Sequence, residues 1–160
     1  MAQTRRLPPY HRSMAGTLLA AREAVMAPLR PVLREAGVTE QQWRILRVLA
    51  DLGPTDCIGI ANAALLLPPS VTRIVKELTE RGLVVRGADI KDARRIRIAI
   101  SAQGEALMQS TSRHTLAVLG QYRMHFGDER FEALQNELRA FTTAIQACVP
   151  PDQTASGLKP

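Results

Sequence analysis

The sequence has few of the features that are typical of membrane proteins, secreted proteins and disulfide-rich proteins. No apolar run approaches the roughly 18 residues of a membrane helix. The first residues, MAQTRRLPPYHR, contain arginines without a long apolar run behind them, which argues against a secretory signal. The two cysteines, Cys57 and Cys148, cannot make a disulfide framework. These absences predict a cytoplasmic protein of the bacterial type with no membrane partner.

The sequence also lacks a recognisable catalytic or metal-binding motif. It has no Ser-His-Asp arrangement, no phosphate-binding glycine loop and no paired acidic motif. His114 and His125 lie on one helical segment without a carboxylate-rich partner segment, which argues against a metal site. We therefore expect a protein that is not an enzyme and that needs no cofactor and no metal ion.

Positive charge is in excess, and it is unevenly placed along the chain. The formal net charge is +6, and lysine plus arginine outnumber the acidic residues by 8 to 3 in residues 1–50 and by 8 to 6 in residues 51–100. In residues 101–160 the balance is 5 to 6. This asymmetry predicts an anionic partner, with nucleic acid ahead of a membrane surface. With 160 residues, 46% of them hydrophobic, the chain is long enough to bury a core.

The segment 13–36 reads as mostly helical, because its apolar residues recur near the period of 3.6. They are Met14, Leu18, Val25, Leu29, Val32 and Leu33. Pro28 and Pro31 predict a kink or a break, since each removes a backbone donor and crowds the preceding turn. Gly37 is a plausible C-cap, and Thr39 begins a capping-box pattern for a further helix.

That further helix ends near Gly53, and two shorter helices follow it. Residues 56–64 predict a third helix, which either Asp56 or Thr55 can cap. After a brief connector, residues 70–81 predict a fourth helix with proline near its start, where the missing N–H costs nothing.

After Gly82 the period changes from 3.6 to 2. Residues 83–86 and 95–100 read as two strands of a hairpin, and the second strand alternates isoleucine and arginine. The tip, 87–94, contains most of the charged run KDARR, which taken alone is typical of a solvated turn. A long helix follows over 101–126.

The final helix carries a heptad seam of apolar residues. The seam consists of Phe131, Leu134, Leu138, Phe141, Ile145 and Cys148. Such a seam packs either inside one subunit or against a second chain, and the sequence leaves both readings open. Residues 149–160 read as a flexible polar tail.

The fourth helix has two different faces. Val71, Ile74, Val75 and Leu78 form one narrow apolar stripe. The opposite side and the N-terminal end hold Pro69, Ser70, Thr72, Arg73, Lys76, Glu77 and Glu80. A helix of this size fits the major groove of DNA, with hydroxyls and amides at phosphates and Arg73 or Lys76 at guanine edges. The order helix, turn, helix, hairpin predicts a winged helix-turn-helix, whose hairpin tip reaches the adjacent DNA backbone or minor groove.

The run SVTRIVKELTERGLVVRGADIKDARRIRIAISAQGEAL resembles the MarR (multiple antibiotic resistance regulator) family. It contains the pattern S-x-T-R-x-x-x-x-L-x-x-R-G-L, the wing pattern D-x-R as Asp92-Ala93-Arg94, and S-A-Q-G where that family has T-x-x-G. The front segment, LPPYHRSMAGTLLAAREAVMAPLRPVLREAGVTEQQWRILRVL, resembles the subgroup that regulates homoprotocatechuate (3,4-dihydroxyphenylacetate) degradation operons.

The resemblance implies a mainly α fold with a small β-hairpin, as a winged helix-turn-helix plus a helical dimerisation lobe. It divides a single domain, 1–160, into a dimerisation lobe (13–36 and 101–148) and a DNA-binding lobe (39–100). It also implies a homodimer that represses from a pseudo-palindromic operator and is released by a small aromatic acid. In the wing, Arg94 would enter the minor groove and Asp92 would hold the tip, and we add Lys91 and Arg95 as phosphate contacts.

A charged residue on the first helix suggests where an effector binds. Arg22 projects into the apolar stripe of that helix, and a buried charge must be paired. It either forms an internal salt bridge to a carboxylate or clamps the carboxylate of an aromatic acid. The residues that could complete such a pocket are Tyr10, His11, Arg12 and Trp43, although Trp43 also fits the core.

Two rival functions stay open at this point. Cys57 is either simply buried or a peroxide-sensing thiol, and a reactive thiolate needs a basic, accessible neighbourhood. The second rival is a basic dimeric adaptor that binds an acidic protein rather than DNA.

Overall fold

The computed structural model describes residues 7–88 and 96–148. These residues form seven α-helices, one 3₁₀ turn and one antiparallel hairpin. In chain order the elements are a 3₁₀ turn (Tyr10–Arg12), α1 (Met14–Met26), α2 (Leu29–Glu35), α3 (Glu40–Leu52), α4 (Cys57–Ala64), α5 (Pro68–Glu80), β1 (Val84–Ala88), β2 (Ile96–Ile100), α6 (Ala102–Phe126) and α7 (Asp128–Cys148). The predicted mainly α architecture with one hairpin is confirmed.

The proline-containing segment is broken, not merely kinked. α1 ends at Met26, and α2 begins at Leu29 directly after Pro28. Pro31 lies in the first turn of α2, where the helix needs no donor from it. The predicted disruption at the two prolines is therefore confirmed, and it divides the segment into two helices.

The start of α3 shows the predicted capping box. The Thr39 hydroxyl accepts from the backbone N–H of Gln42 at 3.2 Å, and the Gln42 side-chain oxygen accepts from the Thr39 N–H at 3.0 Å. The helix ends at Leu52 and is capped by Gly53, whose φ of 74° is an angle that favours glycine. Both ends of α3 are thus set by local sequence.

The helix-turn-helix consists of α4 and α5. Asp56 caps α4 by accepting from the Gly59 N–H at 2.8 Å, and Leu65 takes a left-handed conformation between the two helices. The predicted start of α5 near Ser70 is wrong by two residues, because the helix begins at Pro68. Both prolines fit the first turn, because the backbone N–H groups of that turn have no acceptor within the helix.

The hairpin pairs β1 with β2 from Val84 opposite Ile100 to Ala88 opposite Ile96. The predicted strand 83–86 therefore starts one residue too early and stops two too early. A further bridge joins Ile98 to Thr55, with N···O distances of 2.8 and 3.1 Å, and it fastens the hairpin beside the start of α4. Ile98 is buried, whereas Ile96 nearer the tip is 59% exposed.

One hydrophobic core joins α3, α4, α5 and the hairpin. Its fully buried members include the predicted apolar stripe of α5 and the inner face of α3. The largest of these side chains are Ile45, Leu46, Leu49, Ile60, Ile74, Leu78 and Ile98. This core gives α5 a rigid support, because it buries one face and leaves the other in solvent.

The chain divides into two compact units, with the boundary between Leu116 and Ala117 inside α6. In the second unit, Gly127 separates α6 from α7 with a φ of 92°. Arg123 pairs with Asp128 and Glu132 across this corner. α7 contains no buried residue, and four members of its heptad seam, Leu134, Leu138, Phe141 and Ile145, are exposed within the described residues.

Within residues 7–88 and 96–148, no single helix is long and apolar enough to cross a membrane. The bent pair of α4 and α5 meets that test on length and composition only when its two helices are taken together.

Candidate nucleic-acid interface and effector region

The outer face of α5 presents basic side chains to solvent. Arg73 and Lys76 have side chains 64% and 75% exposed. Each contacts a carboxylate one turn further along: Arg73 to Glu77 at 2.5 Å and Lys76 to Glu80 at 3.9 Å. Exposed pairs of this kind contribute only about 0.3–0.5 kcal/mol, so both cations are available for an anionic ligand.

The N-terminal end of α5 offers fewer backbone donors than the sequence suggested. Pro68 and Pro69 have no N–H, and the Val71 N–H already donates to the Leu67 carbonyl at 3.1 Å. The Thr72 hydroxyl donates to the Pro68 carbonyl at 3.1 Å. Ser70 and, if its side chain rotates, the Thr72 hydroxyl therefore remain as donors at this end of the helix.

The base of the hairpin is fastened to the C-terminal end of α5. The Ser101 hydroxyl donates to the Gly82 carbonyl at 2.6 Å, and the Ser101 N–H donates to the Leu83 carbonyl at 3.1 Å. Gly104 lies so close that a Cβ there would be 2.2 Å from the Leu83 oxygen. These contacts fix the strands beside α5, and they explain the S-A-Q-G run physically.

The wing tip, to which the sequence assigns contacts with DNA, is the next part of this candidate interface. Lys91, Asp92, Arg94 and Arg95 lie outside the described residues. Their proposed contacts with DNA stay predictions that rest on the sequence and on the fastened hairpin base.

Arg22 belongs to a four-membered ion cluster that joins α1, α2 and α3. Its guanidinium contacts Glu23 and Glu40, each at 2.7 Å. Arg30 contacts the same two carboxylates at 2.6 and 2.5 Å. The hydrogen bond from Arg30 holds the pKa of Glu23 and the pKa of Glu40 below their ordinary value, and the same contacts raise the pKa of Arg30. The internal salt bridge is thus the arrangement that Arg22 adopts.

The expectation that Arg22 lies in a buried stripe is wrong for the described chain. Its side chain is 43% exposed, and the neighbouring stripe residues Met14, Leu18 and Val25 are exposed as well. The reason is that α1 packs little of this face against the residues described, so the stripe lacks a cover there.

The other predicted effector residues lie in different parts of the structure. Tyr10, His11 and Arg12 form an exposed 3₁₀ turn, whose Tyr10 carbonyl accepts from the Ser13 hydroxyl at 2.6 Å. Trp43 is buried and belongs to the hydrophobic core.

Two cavities border α2, and neither is lined by any of the predicted effector residues. A cavity of about 460 Å³ is lined by Arg30, Leu33, Arg34, Gly37, Val38, Thr39 and Glu40. A smaller one, about 210 Å³, is lined by Val32, Glu35, Ala36, Ser110, Thr111 and His114. Neither of these two cavities therefore brings the predicted effector residues together. Glu40 and Arg30 are the charged residues that the sequence reasoning missed, because their pairing joins separate helices.

Cys57 is partly buried at the start of α4. It lines a crevice of about 300 Å³ together with Asp56, Ile58, Thr72, Arg86, Ile96 and Ile98. One cation and one carboxylate thus border the same crevice as the thiol.

A helix-turn-helix with a basic, solvent-facing second helix and a hairpin fastened beside it defines a winged-helix DNA-binding protein. The chain belongs to the MarR family of transcriptional regulators, which are DNA-binding proteins and not enzymes. The profile of the MarR family matches residues 36–95. The predicted family and fold class are confirmed.

Two curated relatives cover most of the chain. The HTH-type transcriptional regulator FarR of Neisseria gonorrhoeae is 38% identical over 128 residues, which is 80% of each chain. The homoprotocatechuate degradative operon repressor of Escherichia coli is 35% identical over 131 residues, covering 82% of this chain and 88% of the repressor.

Solved structures show the same similarity. NadR in complex with 4-hydroxyphenylacetate is 35% identical with a TM-score of 0.75, covering 85% of this chain and 96% of NadR. Ligand-free NadR is 34% identical with a TM-score of 0.78, covering 85% and 98%.

Proposed function

We propose that the chain is a dimeric repressor of an aromatic-acid catabolic operon, of the homoprotocatechuate or hydroxyphenylacetate type. A phenolic acid releases it from a pseudo-palindromic operator. The observation that carries the DNA-binding part is the exposed basic face of α5 on a rigid core, with the hairpin fastened beside it. The effector class is supported by the similarity to the Escherichia coli repressor and to NadR.

In this proposal α5 enters the major groove. Arg73 and Lys76 contact base edges, while phosphates at the start of the helix are bound by Ser70 and Thr72 through backbone N–H and hydroxyl groups. Pro69, which has no donor, makes only van der Waals contact there. The hairpin carries Arg94 to the adjacent minor groove, Asp92 holds the tip, and Lys91 and Arg95 contact phosphates.

The dimer in this proposal uses the faces that the described chain leaves uncovered. The α7 seam residues Leu134, Leu138, Phe141 and Ile145 are each 38–47% exposed. Apolar seams of this spacing pack against another helix, and because these residues stay exposed here, packing against a second chain is favoured over packing within one subunit. We assign 13–36 and 101–148 to the dimerisation lobe and 39–100 to the DNA-binding lobe.

The effector in this proposal is an aromatic acid whose carboxylate meets Arg22. The exposed residues Tyr10, His11 and Arg12 close over its ring, while Trp43 stays in the core. Because Arg22 already contacts Glu23 and Glu40, the carboxylate of the effector must either displace these glutamates from the guanidinium or bind it together with them. Exchange of this kind would alter the contacts between α1 and α3, which is a physical route from the effector to the DNA-binding lobe.

The test of DNA recognition uses an operator duplex selected by the wild-type protein from a random-sequence pool. We expect Arg73→Ala to reduce the preference for this duplex over a scrambled one by about 1–3 kcal/mol, the value of one good base contact. Arg94→Ala should weaken binding to the selected duplex far more than Arg139→Ala, a control on α7 whose guanidinium contacts Asn136. Equal small losses for all three variants would contradict the proposal.

The thiol-sensor alternative is favoured by one observation, the shared crevice of Cys57 and Arg86. It requires that peroxide, not a phenolic acid, releases the duplex and that Cys57→Ser abolishes this release. An acidic-protein adaptor would bind no duplex at moderate salt.

A further inference from the structure

One carboxylate ties the exposed face of α5 to the interior of the DNA-binding lobe. Glu77 accepts from Arg73 Nη1 at 2.5 Å with one oxygen, and from Gln42 Nε2 at 3.2 Å with the other. Gln42 is buried on α3, whereas the Arg73 side chain is 64% exposed. The pair between Arg73 and Glu77 is therefore anchored on α3, whereas Glu80 in the neighbouring pair is 63% exposed.

The orientation of the Gln42 amide is determined by its other contacts. Its oxygen accepts from the Thr39 N–H at 3.0 Å and from Arg81 Nη1 at 3.3 Å. Turning the amide over would set its NH₂ group against two donors and its oxygen against the Glu77 carboxylate. Gln42 Nε2 is thus directed at Glu77, and Arg81 is itself held by the Gly37 carbonyl at 2.9 Å.

We propose that Glu77 is a positioning residue for sequence discrimination, which holds Arg73 in an orientation ready to contact a base. This inference rests on the proposed function, in which Arg73 reads base edges. An exposed arginine samples many rotamers and loses them when it binds, so a partner that already restricts it reduces that cost for the correct site.

The same carboxylate has a second, opposite effect on affinity. It places a negative charge on the helix face that approaches phosphates, and this charge weakens binding to every duplex regardless of sequence. Glu77 should therefore increase discrimination while it lowers overall affinity. These two effects separate it from a residue that merely supports the fold.

The test is Glu77→Gln, measured by fluorescence anisotropy with the selected operator duplex and a scrambled duplex of equal length. Glutamine has one acceptor oxygen, so its NH₂ group must face either Arg73 or Gln42, both of which are donors. We expect affinity for the scrambled duplex to rise and the ratio of the two affinities to fall about two- to tenfold, the range for ordering one long side chain.

Glu80→Gln is the matched control, because it removes the same charge from the same helix. Glu80 contacts Lys76 at 3.9 Å on the exposed surface, which is beyond hydrogen-bonding distance, so Glu80 does not fix the orientation of Lys76. We expect this variant to raise affinity for both duplexes and to leave their ratio unchanged.

The double variant Arg73→Ala/Glu77→Gln shows whether Glu77 acts through Arg73. We expect its ratio to equal that of Arg73→Ala alone, whereas a purely structural role would lower the ratio further and would overturn the inference. If Arg73→Ala lowers the ratio but Glu77→Gln behaves like Glu80→Gln, the inference fails and the proposed function stands. If Arg73→Ala leaves the ratio unchanged, the proposed base contact fails and the inference with it.

Discussion

Gly104→Ala tests whether the close approach of α6 to the hairpin base holds the wing in place. A Cβ at this position would lie 2.2 Å from the Leu83 oxygen and 2.7 Å from Ile100 Cγ1, where an ordinary van der Waals contact begins near 3.4 Å. Relief requires the backbone to move, because the nearest obstructing atom is a main-chain oxygen. That same oxygen accepts the Ser101 N–H, so the shift also strains this hydrogen bond.

The expected change in the free energy of unfolding is the sum of opposing contributions. Overpacking of this kind costs about 1–3 kcal/mol, and straining a hydrogen bond costs about 1 kcal/mol more. Alanine in a helix contributes about 1 kcal/mol in the other direction. We expect a net destabilisation of about 1–3 kcal/mol, which lowers Tm by roughly 2–12 °C in a chain of this size.

The assay is urea and thermal unfolding, with Gly120→Ala as the control on the same helix. A Cβ at Gly120 meets nothing within 4 Å in the described chain, so that variant should gain about 0.5–1 kcal/mol. We also expect Gly104→Ala to weaken binding to the selected duplex at a temperature where it is folded, because the hairpin base has shifted. A Gly104→Ala protein as stable as Gly120→Ala would refute the reasoning.

Two further predictions concern the ion cluster of Arg22, Glu23, Arg30 and Glu40. Arg30→Gln should lower Tm above pH 4.5, the ordinary carboxyl value, and the difference from wild type should shrink as the pH falls below it. The direction follows because both glutamates have lowered pKa values in the folded protein. Their contribution to stability is therefore present above the unfolded pKa and is lost on acidification. A difference in Tm that does not change with pH would contradict this prediction. Arg22→Ala should require much more 3,4-dihydroxyphenylacetate than wild type to release the selected duplex, and an unchanged titration curve would remove Arg22 from the effector site.

Features determined by neighbours in sequence were predictable. The capping box of Thr39 and Gln42 spans four residues, and the apolar stripe of α5 repeats within two turns. The start of α5 was misplaced by two residues because proline fits several positions of a first helical turn equally well. Local pattern therefore identified the elements better than it identified their ends.

Features that depend on distant residues were not predictable from the pattern. Glu40 meets Arg22 from 18 residues away, and Glu77 meets Gln42 from 35 residues away. The periodicity of α1 indicated an apolar face but could not indicate what covers it, which is why Arg22 was expected to be buried. Whether an apolar stripe lies in the core or at an interface depends on which other elements pack against it. The periodicity of a single segment does not specify those elements.

The most direct test of the account is fluorescence anisotropy with the wild-type protein and the selected operator duplex, with and without a phenolic acid. We predict tight binding that weakens steeply with salt, because Lys and Arg contacts displace counterions from the duplex. Adding 3,4-dihydroxyphenylacetate or 4-hydroxyphenylacetate should release the duplex, while peroxide should not. Binding that is insensitive to both phenolic acids but is abolished by peroxide would contradict the account.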